Sequence, residues 1–197
     1  MNGVPKFEKN GKVEIHRFST PEHKNGFVMQ FISYLFFAIS TLRFARKNKN
    51  KFDVVFSTSS RLGTAYLGYL ISKVIKLPLA LDIRDVFSDN VQSISFFNKP
   101  LGRIFVKLFS TLESKIVKYA TWVNFVSPGF KKYPHLETKN SYLFTNGIDK
   151  IFFQKPKNID SKLNSKQFVL KILYAGNIGF SQGLELIIIP LAKMFKG

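Results

Sequence analysis

The sequence predicts an α/β fold built on a doubly wound parallel sheet. Three observations carry that expectation. Short apolar, β-branched runs alternate with longer helical stretches. The runs Phe52–Thr58 and Pro78–Ile83 are almost continuously apolar, as strands buried on both faces are. Polar residues and glycines cluster just after the strand C-termini, where sheets of this class hold their ligands.

The elements follow in chain order. Val13–Phe18 (VEIHRF) alternates and reads as a short strand. Pro21 to Gly26 is a polar loop. Phe27–Ala45 is a long apolar helix followed by the basic run RKNKNK. Its uncharged stretch from Asn25 to Leu42 is 18 residues, at the lower edge of a membrane span. Serines, Thr41 and Gln30 favour a buried helix of an α/β layer, with an interfacial helix or a span as the alternatives. Phe52–Thr58 is a strand, about Leu62 to Ile75 a helix, and Pro78–Ile83 a strand ending in Arg84-Asp85. Pro100–Tyr119 is an amphipathic helix, with Glu113 on a face otherwise basic. Thr121–Val126 is a strand ending in Ser127-Pro128-Gly129, and Ser141–Phe144 one ending in Asn146-Gly147. Lys150 to Gln167 is polar and lysine-rich, a linker. Phe168–Tyr174 is a strand leading into Ala175-Gly176-Asn177, and a helix from about Gly183 to Lys196 closes the chain.

This order divides the 197 residues unevenly. Residues 1–150 are expected to form one sheet domain, 151–167 the linker, and 168–197 a single β-α unit too small to fold alone. The start, Met1 to Asn10, is polar. It shows no apolar core of a signal peptide and no strand followed by a glycine loop, so the expectation is a domain whose first strand is missing.

Composition narrows the chemistry. Cysteine is absent, and His16, His23 and His135 have no metal-ligand spacing, so no metal is expected. Apolar residues make up 45% and charged residues 21%, which suits a packed domain rather than a disordered chain. The formal charge is +18, from 30 basic and 12 acidic side chains. Such an excess favours anionic lipid, phosphorylated substrate or nucleic acid, unless it is only a compositional preference for lysine. No helix-turn-helix, RNP or zinc motif supports nucleic acid.

Four post-strand segments hold the candidate site residues. Arg84 and Asp85 project from a strand end; Arg can hold a phosphate, and Asp can accept a hydroxyl proton or orient a sugar hydroxyl. The plainer alternative is an Arg–Asp ion pair tying the loop to the sheet. Asp89 can share the role or cap the next segment. Ser127-Pro128-Gly129 is either a binding loop or a helix start with Ser127 as N-cap and Pro128 first in the turn. Asn146-Gly147 offers a tight turn with positive φ. Gly176, Asn177, Gly179 and Gly183 form a glycine-rich strand-to-helix loop whose amides could approach a diphosphate. Its spacing matches neither the dinucleotide fingerprint nor a Walker loop.

In this order IRDVFSDN, FVSPGF, TNGID and YAGNIGFSQGLE resemble the motifs of family 4 glycosyltransferases of polysaccharide and O-antigen synthesis, from about residue 12 to the end. The resemblance implies a GT-B enzyme: two facing Rossmann-like domains that move a sugar from a nucleotide-sugar donor, without a metal or other cofactor. It implies Arg84 and Asp85 as acceptor-side catalytic residues, with Asp85 the base. Gly176, Asn177, Gly179 and Gly183 match the donor-diphosphate loop, and Glu185 the helix start that follows. The family's first strand with its glycine loop, and most of its donor domain with paired glutamates, have no counterpart in this sequence; Phe87-Ser88 stand where the family has Trp-Pro. The implied partners are a nucleotide sugar, a lipid-linked acceptor, an anionic membrane surface and a chain supplying the donor half. The implied location is cytoplasmic, at the inner face of the cell membrane. The alternative function is a non-catalytic membrane- or acceptor-binding subunit.

Overall fold

The computed structural model of the chain describes residues 4–22, 27–59, 62–92, 100–153, 173–176 and 183–195. It is an α/β structure whose centre is a four-stranded parallel sheet. The strands are β3 (Val55–Ser59), β4 (Leu79–Ile83), β5 (Trp122–Phe125) and β6 (Ser141–Leu143), laid side by side in chain order. The chain also forms a hairpin of β1 (Phe7–Asn10) and β2 (Val13–His16), and the helices α1 (Phe27–Lys47), α2 (Leu62–Ile75), α3 (Phe87–Gln92), α4 (Pro100–Tyr119) and α5 (Glu185–Met194).

The order β3-β4-β5-β6 decides how the sheet is covered. Parallel crossovers are right-handed, so strands added in one direction wind every crossover onto the same face. α2 and α4 accordingly pack side by side. Leu62, Ala65 and Tyr69 of α2 and Ile116 and Val117 of α4 bury against Leu79, Leu81, Ile83, Val123 and Phe125. A doubly wound sheet instead reverses its order at a switch point and carries helices on both faces. Here no strand order reverses among the described residues, and the described crossover helices cover one face.

α2 approaches the sheet closely because Gly68 has no side chain. A Cβ there would sit 2.4 Å from Ser57 Cβ. Ser57 Oγ then donates to the Thr64 carbonyl at 3.0 Å, joining strand to helix. The helix ends at Lys76, whose φ of 59° is unusual for a residue with a side chain. Leu77 N–H closes the end by donating to the Ser72 carbonyl at 3.2 Å.

The N-terminal part departs from expectation. The strand at Val13 pairs antiparallel with Phe7–Asn10, part of the start read above only as polar, and joins no parallel strand among the described residues. Gly11 makes the turn at φ 59°. Ring contacts of His16 with Phe44, and of Phe18 with Phe37 and Phe44, pin the hairpin to α1. α1 packs Ala38, Leu42 and Ala45 against Leu67, Ile71 and Ile75 of α2. Its other side is bare. Only Ser33 and Ala45 are buried, while Val28, Phe31, Leu35, Phe36 and Ile39 are exposed. The expectation of a buried layer helix is thus corrected: α1 lies beside α2, and no element covers its outer face among the described residues. By length and composition it could cross a membrane.

At the far end, Lys150–Phe153 forms a short 3-10 turn, and the remainder of the expected linker lies outside the described residues. So does most of the expected strand Phe168–Tyr174; its last residues, Leu173 and Tyr174, are described as exposed non-strand chain. α5 begins two residues later than expected, after Gly183 at φ 56°.

Candidate functional site

The parallel register brings the strand ends level. Ile83 pairs with Phe125, and Phe125 with Leu143. The next residues therefore leave the sheet at one edge: Arg84 and Asp85 after β4, Val126 and Ser127 after β5, and the segment to Asn146 and Gly147 after β6. Val126 N–H donates to the Ile83 carbonyl at 3.3 Å, extending the pairing one step past the strands.

A polar clamp holds this edge. Asp82 is buried, yet points away from the helix-covered core. Its Oδ1 accepts from Asn124 Nδ2 at 2.6 Å, and its Oδ2 from Arg84 Nε at 2.8 Å. Asn124 also accepts from Phe144 N–H at 2.7 Å and donates to the Phe144 carbonyl at 3.2 Å. One buried carboxylate and one amide thus tie together the ends of β4, β5 and β6. Arg84 does pair with an aspartate, but with Asp82 rather than Asp85. Its side chain remains 49% exposed, and its terminal nitrogens make no hydrogen bond among the described residues. Asp85 is exposed, without hydrogen bond or ion pair among the described residues. Among the described residues the edge therefore presents a guanidinium with unengaged donors beside an unpaired carboxylate.

Four residues on from Asp85, Asp89 belongs to a second cluster. Its Oδ2 accepts from the Tyr133 hydroxyl at 2.5 Å. That hydrogen bond, with some burial, raises the Tyr133 pKa above the ordinary tyrosine range. Glu113, buried on α4, accepts from the first amides of α3: Phe87 N–H at 2.7 Å and Ser88 N–H at 3.2 Å. His135 Nε2 lies 3.3 Å from Glu113 Oε2 and 3.3 Å from Ser88 Oγ. Serine and glutamate meet the same ring nitrogen, so this is not a nucleophile–base–acid relay, which engages both. Ser88, Asp89, Val106, Ser110, Tyr133 and His135 line a pocket of about 250 Å³. Arg84 and Asp85 do not line it.

The other expected residues fare unevenly. Ser127 takes its structural role: its Oγ accepts from Gly129 N–H at 3.2 Å and caps the 3-10 turn Pro128–Lys132. Asn146 and Gly147 lie at the edge, but the expected tight turn does not form. Gly147 does not adopt positive φ. Gly176 is exposed and likewise not at positive φ, whereas Gly183 is. Asn177 and Gly179 lie outside the described residues. Gly176 and Gly183 make no hydrogen bond with the β4–β6 edge. A larger cleft of about 450 Å³, between Phe125, Lys131, Tyr133, Glu137 and Ser141, contains none of the expected site residues.

Sequence reading missed Asp82, Ser88, Tyr133 and His135. Glu113 had left a trace, as the acidic residue of a basic helix. Among the described residues no group of three His, Asp or Glu side chains is placed to hold a metal. No protein-family model matches the chain, and a search of curated proteins gives no match.

Proposed function

We propose that the chain is the acceptor-side, Rossmann-like unit of a GT-B glycosyltransferase, moving a sugar from a nucleotide sugar to a lipid-linked or saccharide acceptor in cell-surface polysaccharide synthesis. The observation that carries this reading is the pair at the end of β4. Arg84 offers unengaged donors for a phosphate, and Asp85 is a free carboxylate beside it at the C-terminal edge of a parallel sheet. The ordered motifs around that pair support the same reading. In it, residues 168–197 begin the donor side, and Gly176, Asn177, Gly179 and Gly183 meet the donor diphosphate.

A second reading has its own support. The bare side of α1 carries Val28, Phe31, Leu35 and Ile39 and ends in Arg43, Arg46 and Lys47. An apolar stripe leading into cations suits the interface of an anionic bilayer. It serves a transferase working at the inner face of the cell membrane, and equally a non-catalytic membrane- or acceptor-binding subunit.

Mixing the full chain with anionic liposomes, a lipid diphosphate acceptor and UDP-, GDP- and dTDP-sugars separates the two. Turnover, by the chain or after addition of a donor half, supports the enzyme; liposome binding that never yields turnover supports the subunit. In an active assembly, Asp85→Asn should abolish transfer while the melting temperature stays as in the parent. Unchanged turnover in that variant removes Asp85 from the role of base.

A further inference from the structure

The second face of the parallel sheet has no cover among the described residues. The register sets Phe56, Ala80 and Trp122 in one row on that side, and Thr58, Asp82, Asn124 and Tyr142 in the next. Phe56, Trp122, Tyr142 and Phe144 are 65%, 43%, 48% and 68% exposed. Tyr142 and Phe144 stack with centroids 6.2 Å apart. Parallel sheets in α/β proteins are covered on both faces. The polar groups here are spent on one another: Asp82 on Arg84 and Asn124, and Asn124 on the Phe144 backbone. A sugar or phosphate over this face would find few hydrogen-bond partners, so the fitting occupant is apolar. Ala80, small between Phe56 and Trp122, leaves a trough along β4.

α5 has the complementary surface. None of its residues is buried. α5 is apolar nearly all round; Ile187, Ile188, Leu191 and Met194, at i, i+1, i+4 and i+7, with Phe195 just past its end, make one apolar stripe, and Leu186 and Ile189 lie off it. Its 10 residues span about 15 Å at helical rise, close to the roughly 16 Å of five-residue β4. Glu185 in its first turn can meet the free nitrogens of Arg84, which directs the helix antiparallel to the strands. A second copy of the chain is a poorer occupant, because two charges of +18 repel.

We propose that α5 docks through this stripe onto the open sheet face above β4, with its N-terminus at the Arg84 edge. The proposal is independent of the transfer reading, since it concerns only how the chain buries its own apolar surface. It also carries Gly183 to the edge that holds Arg84 and Asp85.

Trp122 is the only tryptophan and the chain has no cysteine, so two probes are free of background. In the full chain, Trp122 emission should be blue-shifted and weakly quenched by acrylamide. Ile188→Glu should shift emission to the red and raise the quenching constant several-fold. Leu186→Glu, on the opposite side of α5, should leave both as in the parent. In a chain carrying Ala80→Cys and Leu191→Cys, mild oxidation should yield a cross-linked monomer that migrates faster without reductant. Equal quenching in the parent and Ile188→Glu overturns the proposal, as does a double-cysteine chain that cross-links only between molecules or not at all.

Discussion

Arg84 donates through Nε to Asp82 Oδ2 at 2.8 Å, so the cation that ends β4 is paired within its own strand. Asp82 also holds Asn124, and through it the backbone beyond β6. Removing this carboxylate leaves one Asn124 N–H without its acceptor in a half-buried position, the Phe144 carbonyl remaining for the other. Asp82→Ala should cost about 1–3 kcal/mol, the lower part applying because half-exposed Arg84 regains water. Arg84→Ala leaves the buried Asp82 carboxylate with only the Asn124 amide as partner and should also cost about 1–3 kcal/mol. Urea midpoints at unchanged slope measure both, and equal midpoints for Asp82→Ala and the parent would show that the clamp does not stabilise the fold.

Glu113 does for α3 what a capping residue usually does from within the chain segment itself, but reaches across from α4. Glu113→Ala strips two amides of a buried acceptor and should destabilise by about 2–3 kcal/mol. Amide exchange locates the effect. Phe87 and Ser88 should lose protection first, while the amides of α2 follow only the global change.

Lys76 is held at φ 59°, where a side chain is strained. It is exposed and its place in the helix end suits glycine. Lys76→Gly should therefore stabilise the protein by roughly 0.5–1 kcal/mol, relief of strain exceeding the added freedom of the unfolded chain. Thermal unfolding would show a higher midpoint, and a lower one would mean that the Lys76 side chain contributes a contact of its own.

Tyr133 and Tyr34 should ionise late. Tyr133 is raised by its bond to Asp89, with burial adding. Tyr34 is raised by burial, with Tyr66 adding, and its hydroxyl donates to the Gly63 carbonyl at 2.6 Å. A folded pKa above the unfolded one means stability that is complete below the ordinary tyrosine range and lost as pH rises through the folded value. Phenolate absorbance should thus show two lagging groups, and Asp89→Ala should return one of them toward the ordinary range. If the titration curve of Asp89→Ala overlays the parent, the bond to Asp89 does not set the Tyr133 value.

Much of the sheet was legible because its signals are local. α2 and α4 begin and end where periodicity, Pro100 and the apolar runs of the next strands place them. The parallel strands stood out as short apolar runs. What alternation could not convey was the order in which strands lie, and that order determines which faces the helices cover. The hairpin was half missed because Phe7–Asn10 acquires its character only from its partner. α1 was expected inside because composition says a surface is apolar, not whether anything lies over it. Asp82 and the meeting of Glu113 with His135 depend on contacts made across the fold, to which neither spacing nor residue type points.

A sheet whose neighbours in space are also neighbours in sequence has consequences for biosynthesis. Each parallel strand, as it emerges, finds the previous one already available as an edge, and none must wait for a distant segment. Pairing each new strand with the one before it favours stepwise growth during translation, from β3 outward. A ribosome pausing after β5 should accordingly carry a nascent chain in which α2 already resists protease, before Ser141 has left the exit tunnel.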